Sequence, residues 1–202
     1  MRERFGNLVR EADLGLFDVI LHGCNCQATM GAGIAKTIKD RWPEVYEFDK
    51  NTYDAGMAKL GRFGSVVVKT RTEKDLIVVN CYTQEFPGGS IRPVNYEAIA
   101  SCFEKVNEKF KGMDFKIGIP LIGCGLAGGN WNIVKTMAQE LMPDLKVTVI
   151  HFPTDNYTMQ VAIHGQIDVI KGNRGDEICY TYEGETFLAD ESALYRYDFD
   201  VK

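Results

Sequence analysis

Short apolar runs rich in valine and isoleucine alternate along the chain with segments of helical period. The runs "FDVILH" (17–22), "SVVVKT" (65–70), "DLIVVNCY" (75–82), "FKIGIPLI" (115–122) and "LKVTVIHF" (145–152) have the length and composition of strands buried on both faces. Helices are predicted between them, over 32–41, 43–56, 94–110 and 130–142. In the third, Val94, Ala98, Cys102, Val106 and Phe110 recur every four residues, which sets them along one slowly drifting face against a sheet. Pro43 can open the second, because the N–H it lacks would have no intrahelical acceptor there. Pro143 helps to end the fourth. Strands alternating with helices predict an α/β layered sheet.

After Pro153 the texture changes. "AIHGQIDVIKGNRGDEICYTYEGETFLADESALYRYDFDVK" has frequent glycine punctuation and alternating apolar positions without a helical period, which predicts a small β-rich extension. The chain therefore divides at 1–153 and 154–202. The extension is expected to pack on the main domain, because exposed strand edges need covering.

The 202 residues suffice for one main core. With 45% hydrophobic and 25% charged residues and no long apolar run, the composition is that of a globular protein outside the membrane class. The start, "MRERFGNLVREADLG", has no apolar core of a secretory signal, so a cytoplasmic address is expected. The six cysteines lie mostly within apolar stretches, which suits reduced, buried thiols. A net charge of −5 with scattered basic residues lacks the footprint of a duplex-binding protein. Any bound phosphate must be held by backbone dipoles. No cofactor and no metal are called for.

Two glycine-rich loops carry the candidate chemistry. Gly23 to Gly33 follows the strand at 17–22, and "GCGLAGGN", Gly123 to Asn130, follows the strand at 115–122. Both precede helices, where open α/β sheets place ligands. Backbone built from glycine can turn sharply and bring N–H groups to phosphate oxygens, and helix N-termini add partial positive charge. Each loop alone also fits a plain strand-to-helix turn. Neither G-x-x-x-x-G-K-[ST] nor a full G-x-G-x-x-G is present.

"VILHGCNCQATMGAGIAKTIKDRWP", followed by "IGIPLIGCGLAGGNWNIVKTMAQEL" and "VTVIHF", resembles the macrodomains. These are ADP-ribose-binding domains that include ADP-ribose-1''-phosphate phosphatases and ADP-ribosyl hydrolases. The resemblance covers roughly residues 1 to 152 and lies in the phosphatase-like and deacylase-like branch. It implies a three-layer α/β/α sandwich with a mixed central sheet, to which the β-rich C-terminal extension is added. It also implies a ligand, ADP-ribose or its 1''-phosphate, free or linked to protein. Asn25 matches the asparagine that holds the distal ribose. Gly31, Ala32, Gly33 and Ile34 match the first phosphate loop, and Gly123, Cys124, Gly125, Leu126, Ala127 and Gly128 match the second. Asn7 and Leu8 fall where the family contacts adenine, with an asparagine where an aspartate is common. Phe152 matches a position that flanks the adenine ring, and it also fits a residue capping the core.

His22 and Asn25 are the candidate catalytic residues. An imidazole titrates near neutrality, which suits acid/base work, and in the yeast-type phosphatases a histidine at this position is implicated in removing the 1''-phosphate. A hydrogen-bonded structural histidine is the alternative. In the hydrolases that cut glutamate-linked ADP-ribose, an aspartate follows the loop leucine and a lysine lies just after the fourth strand. Ala127 and Gln84 stand there, and an amide side chain cannot form a lysine-type adduct. Cys24 and Cys26 read as small packed thiols, with nucleophile or metal ligand as the alternatives. The expected function is ADP-ribose binding with slow phosphatase or hydrolase action. A non-catalytic reader, an ADP-ribosyl-protein hydrolase and an adaptor acting through its tail are the alternatives.

Overall fold

A computed structural model describes residues 1–54, 58–87 and 93–152, together with the backbone of four later strands. The first part contains β1 (Arg2–Phe5), α1 (Leu8–Asp13), β2 (Val19–Asn25), α2 (Gly33–Arg41), α3 (Pro43–Asp54) and β3 (Phe63–Lys69). It continues with β4 (Asp75–Gln84), α4 (Tyr96–Phe110), β5 (Lys116–Ile119), α5 (Trp131–Leu141) and β6 (Lys146–His151). The six strands form one sheet in the order β1-β6-β5-β2-β4-β3. Neighbours are parallel from β1 to β4, and β3 pairs antiparallel with β4, so the sheet is mixed as expected.

Each central strand is apolar on both faces because helices cover both. On one side Val79 and Cys81 of β4 pack with Ile99, Cys102, Phe103, Val106 and Phe110 of α4 and with Val134 and Ala138 of α5. On the other, Leu76 and Val78 pack with Leu8 and Ala12 of α1, Ile38 of α2 and Val45 of α3. The result is a three-layer α/β/α sandwich. Four of the five residues in the four-residue repeat of α4 lie on its buried face, and Val94 packs against the same cluster from just outside the helix.

The sequence pattern did not reveal β1 and α1. "RERF" is four residues with three charges, and α1 has six residues, too few to show a period. Parallel pairing with β6 and the ion pair of half-buried Arg4 with buried Glu11 hold this segment. Residues 55 and 56 of the predicted second helix lie outside the described residues.

The C-terminal strands β7 (Tyr157–Ile163), β8 (Gln166–Gly172), β9 (Ile178–Tyr182) and β10 (Glu185–Leu188) form a second, antiparallel sheet. Its side chains and the expected boundary at 153–154 lie outside the described residues. Among the described residues no helix is long and apolar enough to cross a membrane.

Candidate functional site

The parallel strands β1, β6, β5, β2 and β4 bring their C-terminal ends to one edge of the sheet. Asn7, Phe152, loop two, loop one and Gln84 follow those ends in that spatial order. Strands β2 and β5 are neighbours, yet the helix after β2 packs on one face and the helix after β5 on the other. The chain thus diverges between them, which opens a crevice at the switch point of the sheet.

Loop one forms the first wall. The Asn25 side chain accepts from the Gln27 N–H at 2.9 Å and donates to Thr29 Oγ1 at 2.7 Å, a local turn that fixes the amide at the strand end. Ala28 and Met30 have positive φ, a costly conformation for such residues. Burial of Met30 in the core beneath the loop offsets it.

The start of α2 differs from those of the other helices with a defined N-cap. Asn7, Asn95 and Asn130 each cap α1, α4 or α5 through a side-chain oxygen, whereas Ala32 provides no side-chain cap to α2. The first N–H groups of α2 are left to the crevice, where a helix start attracts anions. Gly31, Ala32 and Gly33 are all exposed.

Loop two forms the second wall. Gly129 N–H donates to Gly123 O at 2.8 Å and Gly128 N–H to Gly125 O at 3.0 Å, while the N–H groups of Gly125 and Leu126 have no hydrogen-bond partner among the described residues. Gly123 has φ +72°, and a Cβ there would meet Ile99 and Val94 at 2.9 Å, so only glycine fits this turn. A Cβ on Gly125 would meet nothing within 4 Å. That open space adjoins free N–H groups. The loops meet at Leu126, which is 72% exposed and lies 3.9 Å from where a Gly33 Cβ would be. Ala127 is buried, and Cys124 turns its thiol to Ile122 O at 3.3 Å.

At the far end Asn7 accepts from the Arg10 N–H at 3.1 Å, which leaves its oxygen one further lone pair. Leu8 is buried in the core, packed against Gly118, so its side chain does not line the crevice. Phe152 is 50% exposed directly after β6, which leaves its ring open to a planar partner rather than capping the core.

His22 does not reach the crevice. β2 runs on past it to Asn25, and residues three apart on a strand point to opposite faces. The imidazole is fully buried on the α3 side, where Nε2 donates to Asn80 Oδ1 at 2.7 Å. Burial pulls its pKa down to about 4, against the Asn80 hydrogen bond and the charge of Asp49. As placed, it cannot touch a ligand.

The two thiols of "CNC" share the His22 side. Cys24 lies 3.5 Å from His22 Nδ1, and burial pushes its pKa well up. Burial also pushes Cys26 up to about 11. Thiols held in the protonated form are poor nucleophiles and poor metal ligands, which favours the packed reading. Beneath them a buried trio escaped sequence reasoning, because isolated charges look solvated. Lys59 donates to Asp49 Oδ1 at 2.7 Å and Tyr82 to the same oxygen at 2.8 Å.

The chain matches the Macro domain family over residues 21–138 and belongs to it. It is 33% identical over 134 residues to an uncharacterized 17.5 kDa protein of Enterobacteria phage T4, covering 65% of this chain and 84% of that protein. It is 22% identical over 157 residues to an ADP-ribose 1''-phosphate phosphatase of Saccharomyces cerevisiae, covering 65% and 88%. The fold matches Thermosipho africanus DarTG, solved in complex with ADP-ribose, with a TM-score of 0.62 at 17% identity over 76% of this chain and 42% of that one.

Proposed function

We propose that the crevice binds ADP-ribose. The pyrophosphate lies between the uncapped start of α2 and the free N–H groups at Gly125 and Leu126. Adenine extends toward Asn7 and Phe152, and the distal ribose toward Asn25. The observation that carries this reading is the pair of facing backbone donor sets beside an open glycine, in a chain whose net charge of −5 gives anions no general attraction. Oriented N–H groups in such a place substitute for cationic side chains. Titration calorimetry with ADP-ribose tests it: saturable binding at one site is expected, and no heat up to millimolar ligand rejects it.

Slow turnover of the 1''-phosphate is the finer reading, favoured by the relation to the yeast phosphatase. With His22 sealed in the core, hydrolysis would rest on a water positioned near Asn25, without the gain of about 10² to 10⁴ that a placed acid or base supplies. Phosphate release from ADP-ribose 1''-phosphate measures it directly. Binding without release makes the protein a reader of ADP-ribose, free or attached to protein.

A further inference from the structure

The pairing of β2 with β4 slips at the crevice. Cys24 is in register with Tyr82, but the next residue, Asn25, is in register with Gln84. Thr83 is the extra residue. Without the slip Asn25 would neighbour a threonine. With it, Asn25 and Gln84 are paired positions at the ends of adjacent strands, and in-register neighbours present side chains on the same face. Bulges at sheet ends re-aim side chains in this way. This one carries a cost: the hydroxyl of Thr83 is buried and has no hydrogen-bond partner among the described residues, an arrangement that needs a reason.

Gln84 is half-buried, and its Nε2 donates to Phe86 O at 2.7 Å. That bond fixes the amide and leaves Oε1 and one N–H without partners among the described residues. Asn25 keeps one N–H beyond its two local bonds. The pair therefore offers a fixed acceptor beside fixed donors, all neutral. Vicinal hydroxyls, each both donor and acceptor, match such a set, whereas a phosphate or a carboxylate would leave Oε1 facing negative charge.

We propose that Gln84 is a specificity residue which, with Asn25, reads the vicinal hydroxyls of the distal ribose. This rests on the ADP-ribose reading above and assigns to the sugar end a residue outside both glycine loops. Neither amide can attack the sugar carbon. The pair holds the ribose without a covalent step.

Calorimetry of the full chain with ADP-ribose and with ADP, which lacks the distal sugar, tests this. Wild type is expected to prefer ADP-ribose. In Gln84→Leu, similar in size but without polar atoms, affinity for ADP-ribose is expected to fall about tenfold, the scale of one or two neutral hydrogen bonds. ADP affinity stays as in wild type and shows that the crevice is folded. Gln84→Asn, which keeps the amide on a shorter stem, recovers part of the preference. An unchanged ratio of ADP-ribose to ADP affinity in Gln84→Leu overturns the inference. So does a wild type that binds both equally, although the pyrophosphate site would then stand. Binding of neither ligand rejects the function itself.

Discussion

His22 Nε2 donates to Asn80 Oδ1 at 2.7 Å within the core; this bond favours the protonated ring, but complete burial outweighs it and keeps the imidazole neutral. Burial lowers the native pKa to about 4, against 6.5 for a free histidine. As pH falls, the unfolded chain takes up a proton first, so the stability due to neutral His22 is complete above about 6.5 and is lost as pH falls through about 4. A difference of this size corresponds to about 3 kcal/mol. Urea unfolding at pH 7 and pH 4.5 should show a drop that is smaller in His22→Gln. Any phosphate release should show no inflection near pH 6.5, and one that disappears in His22→Gln would return the histidine to the chemistry.

Asp49 and Lys59 form a pair whose side chains are 1% and 2% exposed. Removing one partner of a buried pair strands the other charge, at a cost of about 3 to 5 kcal/mol. Lys59→Met should therefore destabilise by about that much in urea melts. Lys59→Met combined with Asp49→Asn should recover a large part, since the stranded charge is gone while the Tyr82 contact can persist. Equal losses in the single and double variants would show that packing of the lysine stem, not charge, is what the site needs.

The layers of the fold were legible because buried strands and the four-residue repeat of α4 write their burial directly into the residue pattern. The glycine loops were legible for a similar reason: backbone that must turn sharply at Gly123 excludes a Cβ. What stayed hidden depends on parity and pairing. The pattern placed the end of β2 at His22, but the strand continues to Asn25, and that continuation decides which face the imidazole takes. The slip that brings Gln84 beside Asn25 depends on β4 finding its partner 50 or more positions away in the chain, roughly the span no local pattern records. Buried Asp49 and Lys59 look like surface charges until the fold brings them together.

Gly33 and Gly125 separate strain from occupancy. Gly33 has φ +56°, so any side chain there costs about 1 kcal/mol or somewhat more in strain, and each 1 kcal/mol is roughly 2 to 4 °C of melting temperature at this chain length. Gly33→Glu also sets a carboxylate beside the proposed pyrophosphate and should abolish ADP-ribose binding. A Cβ on Gly125 would meet nothing within 4 Å, and its φ is not positive, so Gly125→Ala should keep the wild-type melting temperature while affinity falls. Unchanged affinity in both variants, read by calorimetry beside thermal melts, would move the ligand away from these loops.

Thr83 provides a stability test with an unusual sign. Its hydroxyl is buried without a hydrogen-bond partner among the described residues, and a buried orphan costs about 1 to 3 kcal/mol relative to an apolar group of the same shape. Thr83→Val keeps the β-branched shape that the strand favours and removes the orphan, so the variant should be more stable by about 1 kcal/mol, the low end of that range. The backbone bonds around the bulge, including Asn95 N–H to Thr83 O at 3.0 Å, do not involve the hydroxyl and should hold Gln84 where it is. ADP-ribose affinity should then match wild type while the urea midpoint rises. A midpoint that falls would mean that the hydroxyl has a partner in solution, and the bulge would then be held by a bond rather than maintained at a cost.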